Sequence, residues 1–388
     1  MNIAWNITDE NSINEIMEYQ SEPEKIILNK IDSLIRDSKP EVVANYLSLK
    51  LLYYLHGDLE LVQTNNRKFC TQMAIKVNGY FSSLLYNSTI PDAEQNRRSE
   101  DLIKVIKELL KSLEIRINST AWLDESTMEE AAEKISNIKI NIGQMTDDLG
   151  DIVLNEMFKL NFTDDYENNV LELLKFKVQT THLPFKIRDN LKNTTKPLEI
   201  LSSAEVNAFY FVLDNSVYIQ NGLLNEPAYN KDQPLVVKYS RLGYILGHEL
   251  FHAFDSVGRH FDAQGEERNW WSNTSEAIYR NKSVCFRKEL NKIYLEDVKI
   301  FVNGNKTSDE SVADGVGIAM AYDAFLRNSQ SEVLYCAVYS RNHILNDVED
   351  EHPSDLWRVP TALKYFPNFS EHFQCKVGSK MNPEKQYK

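Results

Sequence analysis

No apolar run in the chain approaches the roughly 20 residues that a membrane-spanning helix needs. The opening stretch, MNIAWNITDENS, has neither a basic segment nor an apolar core, so no signal peptide is expected. Basic residues are in deficit: 43 Lys and Arg stand against 57 Asp and Glu, a formal net charge of −14. That balance excludes a nucleic-acid or anionic-membrane surface from the expected functions. Cysteine is scarce, with Cys70, Cys285, Cys336 and Cys375 and no close pair of the kind that binds metal. These four allow three pairings, and buried free thiols are the alternative. There is no internal repeat, low-complexity tract or long Gly/Ser linker.

What is present is a globular composition, 42% hydrophobic over 388 residues, enough for one large domain or two. Asparagine is frequent, and nine N-x-S/T sequons occur, at Asn6, Asn87, Asn118, Asn161, Asn193, Asn273, Asn281, Asn305 and Asn368. That number leans toward a glycoprotein with a secretory history.

The first part of the chain reads as helices. Ile13, Ile16 and Met17, then Ile26, Ile27, Ile31, Leu34 and Ile35, recur at helical spacing. Pro40 punctuates, and a further helix is expected from Val42 to Leu55. Two amphipathic helices follow over 68–86 and 99–116, joined by a polar link from Asn87 to Arg98. Ser126-Thr-Met-Glu129 has the form of a capping box that opens a helix through Ile135. Residues 150–200 are mixed and polar. Val206–Leu213 and Val217–Ile219 are rich in aromatic and β-branched residues and predict two strands, with Asp214-Asn215 turning between them. Helices are expected over 274–297 and from Glu310 to Leu326, with a Pro-punctuated loop at Asp350-Glu-His-Pro353.

The most informative stretch is Gly243-Tyr-Ile-Leu-Gly-His-Glu-Leu-Phe-His-Ala-Phe-Asp255, which contains H-E-x-x-H. On a helix, His248 and His252 lie one turn apart on one face, where two imidazoles can grip one zinc ion. Glu249 is then placed to take a proton from a metal-bound water. Pro234 suits the first turn of this helix and Gly258 its stop. Apolar residues nearly all round, from Leu235 to Phe254, mark it as buried. Asp255, seven residues after His248, is placed to hold a ligand imidazole from behind.

Two histidines leave a catalytic zinc short of a protein ligand. The candidate is Glu310, in Glu310-Ser-Val-Ala-Asp314, on a separate helix with Asp314 one turn later on the same face. An E-x-x-x-D pair alone is weak, since such pairs are common on solvated helix faces. The apolar residues after Asp314 argue against a fully exposed face.

GHELFHAFD together with Glu310-Ser-Val-Ala-Asp314 resembles the neprilysin and endothelin-converting enzyme family of zinc metalloendopeptidases. Val206-Asn-Ala-Phe-Tyr210 is similar to its N-A-F-Y edge strand, and Thr120-Ala-Trp-Leu-Asp124 to its T-W-[ML]-D segment. Asp350-Glu-His352 with Arg358 is similar to its D-x-H…R element, and Phe373-Gln-Cys-Lys…Met381-Asn-Pro-Glu-Lys385 to its ending. The resemblance implies a mainly helical, thermolysin-like catalytic domain with a small sheet, an α+β fold. It implies one Zn2+ per chain on His248, His252 and Glu310, with Glu249 as general base. It further implies that Asn207 and Ala208 bind substrate backbone by strand addition. His352, supported by Asp350, would donate to the oxyanion, and Arg358 would bind a substrate carbonyl. Asp314 would orient a ligand histidine and belongs with Glu249 and His352 in the catalytic group. The implied substrates are short peptides, cleaved on the amino side of hydrophobic residues, in an extracellular or ectodomain setting. The oligomeric state is left open.

The resemblance covers only the C-terminal half of such an enzyme, with most of the helical lid lacking a counterpart. One catalytic domain is expected over 1–388, with a helical part at 1–118 and the zinc-site part at 119–388. Cys70, Cys336 and Cys375 resemble family cysteines whose partners lie in the missing part, and Cys285 resembles one whose partner near the C-terminus is also missing. The family's disulfide pattern is therefore not expected within this chain. The segment between Asp314 and Cys336 is shorter than in the family. Phe251 stands where Thr or Ser is usual, and Gly315-Val-Gly317 replaces N-G-G. The alternative to a peptidase is a catalytically impaired relative that binds peptides or a full-length homologue.

Overall fold

The computed structural model describes residues 22–59, 79–143, 202–295, 299–329 and 355–384, with scattered positions at 71, 75 and 155–176. The expected helical turns at Ile13–Met17 and the 150–200 region lie wholly or largely outside the described residues. The chain divides into two compact units, Met1–Gln72 and Met73–Lys388. Among the described residues, no helix is long and apolar enough to cross a membrane.

The first unit contains α1 (Glu22–Asp37) and α2 (Pro40–Leu59). Pro40 opens the second helix, as its fixed φ favours. Apolar side chains of both helices are exposed, among them Leu34 (69%), Leu47 (59%) and Leu49 (66%).

The second unit starts with α3 (Gly79–Ser88) and α4 (Asp92–Asn118). The polar link expected at Asn87–Arg98 is only the three residues 89–91, because Pro91 starts the second helix at once. Leu102, Ile106, Leu109 and Leu113, at spacings of four, three and four, put one face of α4 into the core. Next come α5 (Glu125–Ser136) and β1 (Lys139–Ile142). Asp124, and not Ser126, caps α5, accepting from the Thr127 amide at 2.9 Å. The Ser-x-x-Glu pattern misleads because the Asp124 carboxylate also accepts from Ser272 and Ser275 at the start of a later helix, which fixes it at the head of α5.

The sheet is completed by β2 (Ala208–Phe211) and β3 (Ser216–Ile219), in the order β1-β3-β2. β1 runs parallel to β3, and β2 runs antiparallel to it with Ala208 opposite Ile219. Asn215 makes the turn in the left-handed region at φ 51°. Among the described strands, β2 is an edge.

A continuous helical run follows: α6 (Leu235–Lys238), a wider π turn over Tyr239–Gly243, and α7 (Tyr244–Phe251). A tight turn at His252–Phe254 ends it, four residues before the expected stop at Gly258. Gly258 serves another purpose: a Cβ there would lie 1.9 Å from the His252 carbonyl oxygen. α8 (Asn273–Leu290) is shorter than 274–297, since the chain turns into the hairpin of β4 (Tyr294–Leu295) and β5 (Ile300–Phe301). α9 (Gly304–Asn328), α10 (Asp355–Lys364) and α11 (Pro367–His372) complete the chain.

α9 is the central helix, packing against α4, α7, α8 and α10. Fully buried Leu242, Leu246 and Leu250 share a core with Met320, Ala324 and Phe325 of α9 and the apolar face of α4. α7 and α9 approach closely where glycine faces glycine. A Cβ on Gly247 would lie 2.9 Å from the Gly317 oxygen, and one on Gly317 would lie 2.6 Å from the His248 nitrogen. Such contact needs residues without side chains.

Candidate metal centre

Two elements supply the centre, α7 with its terminal turn and the first half of α9. His248 is on the last full turn of α7, and His252 begins the tight turn that ends it. Their rings lie 4.7 Å apart and nearly perpendicular. The two Nε2 atoms face each other at 3.0 Å. Glu310, on the opposing face of α9, brings Oε2 to 3.0 Å from His248 Nε2 and Oε1 to 3.6 Å from His252 Nε2. These three residues form a group able to hold a metal ion. Ligands about 2.0–2.1 Å from a tetrahedral zinc sit ~3.3 Å from one another, and the three separations bracket that spacing.

The other ring nitrogens explain why both Nε2 atoms point inward. His252 Nδ1 is 2.7 Å from Asp255 Oδ2, and His248 Nδ1 is 2.9 Å from Asp314 Oδ1. A carboxylate behind each ring holds the proton on Nδ1 and turns the Nε2 lone pair inward. Asp255 does this in a way its spacing did not foretell. It serves His252 and not His248, from an extended residue beyond the helix end. Its other oxygen accepts from the amides of Val257 and Gly258, at 2.9 and 2.7 Å.

Asp314 is almost fully buried and heavily used. Arg358 of α10 donates to it through Nε at 2.8 Å and Nη2 at 2.6 Å, and the Tyr244 hydroxyl donates at 2.5 Å. Burial pushes its carboxyl up, but Arg358 and His248 outweigh burial and hold it well below the usual carboxylate range. Burial likewise opposes a charge on His248, yet Asp314, Glu310 and Glu249 raise its pKa to about 10. The field that retains a proton there also favours a divalent cation.

Glu249 is half-buried on α7, close enough to raise the proton affinity of both imidazoles. Asn207 is exposed just before β2, where its carbonyl accepts from Gln220 at 3.1 Å. Ala208 is buried and paired with β3, and α7 packs against β2. Arg358, expected to meet a substrate carbonyl, directs Nε and Nη2 at Asp314. His352 and Asp350 lie outside the described residues, as do Cys70 and Cys336. Among the described residues, neither Cys285 nor Cys375 is in a disulfide.

Three contributors were not found from the sequence. Tyr244 had a usable signal, standing four residues before His248 and thus on its face. The Arg358–Asp314 pair, 44 residues apart, had none. Lys134, whose Nζ donates to the carbonyls of Ala253 and Gly258 just beyond His252, had a faint one, a charge beside Ala131 and Ile135 on the apolar face of α5.

Known proteins place this centre in a family. Family models for peptidase family M13 match residues 207–336 and 329–388, and residues 20–145. Neprilysin-1 of Caenorhabditis elegans is 25% identical over 403 residues, covering 92% of this chain and 52% of the relative. Membrane metallo-endopeptidase-like 1 of Mus musculus is 30% identical, covering 74% and 41%. Endothelin-converting enzyme 1 of Rattus norvegicus is 27% identical, covering 81% and 43%. The chain thus spans about half the length of these curated relatives. Among solved structures, the zinc metalloprotease ZMP1 of Mycobacterium tuberculosis superposes with a TM-score of 0.62 at 17% identity, covering 75% of this chain and 47% of that one. PEPO from Lactobacillus rhamnosis superposes at 0.58 with 20% identity, covering 74% and 46%. The fold is thus the thermolysin-like α+β fold of M13 peptidases, mostly helical with a small sheet. With two M13 models matching from residue 20 onward and His248, His252 and Glu310 converging where the sequence pattern required, the chain belongs to peptidase family M13, the neprilysin and endothelin-converting enzyme family of zinc metallopeptidases.

Proposed function

We propose that the chain is a zinc-dependent endopeptidase acting on short peptides, with His248, His252 and Glu310 holding one zinc ion. The observation that carries this reading is the convergence of three donor groups, two of them histidines whose outward-facing Nδ1 atoms lie against Asp314 and Asp255. A bound zinc would polarise the scissile carbonyl and lower the pKa of a water to near neutrality.

The protein's own residues would do the rest. Glu249 takes a proton from the attacking water and returns it to the leaving amine nitrogen. Asn207 and Ala208 border the open side of β2, where an extended peptide adds as a further strand. His352, supported by Asp350, would donate to the oxyanion. Cleavage on the amino side of hydrophobic residues follows from the family resemblance. We also propose a secretory setting. Six sequon asparagines, at 118, 161, 273, 281, 305 and 368, are exposed. Asn87 is an exception, tied up by Gly143, Ser203 and Asn221.

Replacing Glu249 by Gln tests the mechanism. Zinc content is expected to persist while hydrolysis of a fluorogenic peptide falls on the order of 10²–10⁴-fold. Undiminished turnover would remove Glu249 from the role of base. The second reading is a relative that binds peptides or a full-length homologue without cleaving. Peptide binding by zinc-loaded wild-type chain with no chelator-sensitive turnover would select it.

A further inference from the structure

Lys134 is fully buried on α5. Its Nζ donates to three carbonyl oxygens, Ala253 at 2.8 Å, Gly258 at 2.6 Å and Phe261 at 2.6 Å. Three acceptors at these distances need three protons, and a neutral amine has two. The rings of Tyr210, Phe254 and Trp270 surround the charge, with centroids 6.0, 5.6 and 5.9 Å away. Burial pulls its pKa below that of an ordinary lysine, while Asp255 and Asp262 pull it back.

All three acceptors lie in the turn that follows His252. Helix ends leave carbonyls unpaired and carry negative partial charge, so a cation is favoured there. Ala253 adjoins His252. Gly258 and Val257 donate their amides to Asp255, and Asp255 holds His252 Nδ1 at 2.7 Å. A lysine that only filled space would not need to gather carbonyls from residues 253, 258 and 261 at once.

We propose that Lys134 is a positioning residue for the metal centre: it closes the 253–261 turn so that Asp255 holds His252 with Nε2 toward His248 and Glu310. The inference rests on the zinc reading of that centre. It places on α5, remote in sequence from the H-E-x-x-H motif, a determinant of how firmly metal is held.

The test is zinc release from the loaded full chain into a chromogenic chelator, at a temperature where every variant is folded. Lys134→Met is expected to release zinc on the order of 10-fold faster or more, as for other groups that support a ligand from behind. Leu102→Ala, a core truncation on α4, controls for lost stability and is expected to release zinc at the wild-type rate. The double variant Lys134→Met/Asp255→Asn is expected to release zinc no faster than Asp255→Asn, because both act through one contact. Wild-type release from Lys134→Met, or full multiplication of the two effects, overturns the inference. Should Lys134→Met not fold, the wild-type chain labelled with 15N-lysine gives the answer. A slowly exchanging lysine ammonium signal that moves on zinc loading supports the inference, and its absence or indifference to zinc overturns it. A wild-type chain that binds no zinc overturns the zinc reading itself, whereas bound zinc with Lys134-independent release overturns this inference alone.

Discussion

The two units of this chain treat their apolar residues in opposite ways. In the second, α7 and α9 meet backbone to backbone at Gly247 and Gly317, and Leu242, Leu246, Leu250 and Met320 are wholly buried around that seam. In the first, Val42, Tyr46, Leu47 and Leu49 on α2 are each more than half exposed. Exposed apolar helix faces of this kind are interaction surfaces or liabilities. The polar residues follow the same division. Charged groups in the seam sit at the metal centre and have fixed partners, as Asp314 has in Arg358, Tyr244 and His248. Described ion pairs of α1, such as Arg36–Asp32, are exposed and contribute little. Substitutions should therefore be tolerated in the first unit and resisted in the seam.

The sharpest way to break that contrast is to remove the cation behind Asp314. Arg358→Met leaves a buried carboxylate without its ion pair and should cost about 3–5 kcal/mol, read from urea unfolding. A variant as stable as wild type would show the seam to be as forgiving as α2. Next is Gly317→Ala, whose methyl would press on the His248 backbone. Overpacking of this kind costs about 1–3 kcal/mol, and because it parts Glu310 from the histidines, weaker zinc binding should accompany the loss. Zinc titration of the folded variant at unchanged affinity would separate helix contact from ligand placement. Asp255→Asn should weaken zinc on the order of 10–100-fold with a smaller effect on melting, measurable by competition with a chelator of known affinity. The smallest effect belongs to α2. Leu47→Gln and Leu49→Gln should change stability by no more than about 0.5 kcal/mol and leave zinc affinity unaltered. A large loss there would mean that these side chains have a partner.

What the sequence disclosed follows from where the information sits. Local periodicity located α1, α2 and α4, because burial on one face of a helix repeats every three to four residues, and local composition located β2, β3 and the apolar run of helix through His248. The spacing of His248 and His252 placed both rings together, and Glu310 was visible ahead of the apolar part of α9, although that helix starts earlier, at Gly304. Features set by contacts across long separations were not legible. The cap of α5 went to Asp124 because Ser272 and Ser275 share its carboxylate. The zinc-site helix ended at Phe254 and not Gly258, since the turn closes on Lys134 from another helix. Asp255 was found by counting along one helix face, and it serves its neighbour His252 because that helix stops first.

The most direct measurement is X-ray absorption at the zinc edge of the loaded chain, with Glu310→Ala alongside. A centre built from His248, His252 and Glu310 gives one zinc per chain, with two imidazole nitrogens and a carboxylate oxygen at about 2.0–2.2 Å, and loses the carboxylate in Glu310→Ala. Sulfur in the coordination sphere, a single imidazole, or an unchanged spectrum in Glu310→Ala would contradict it.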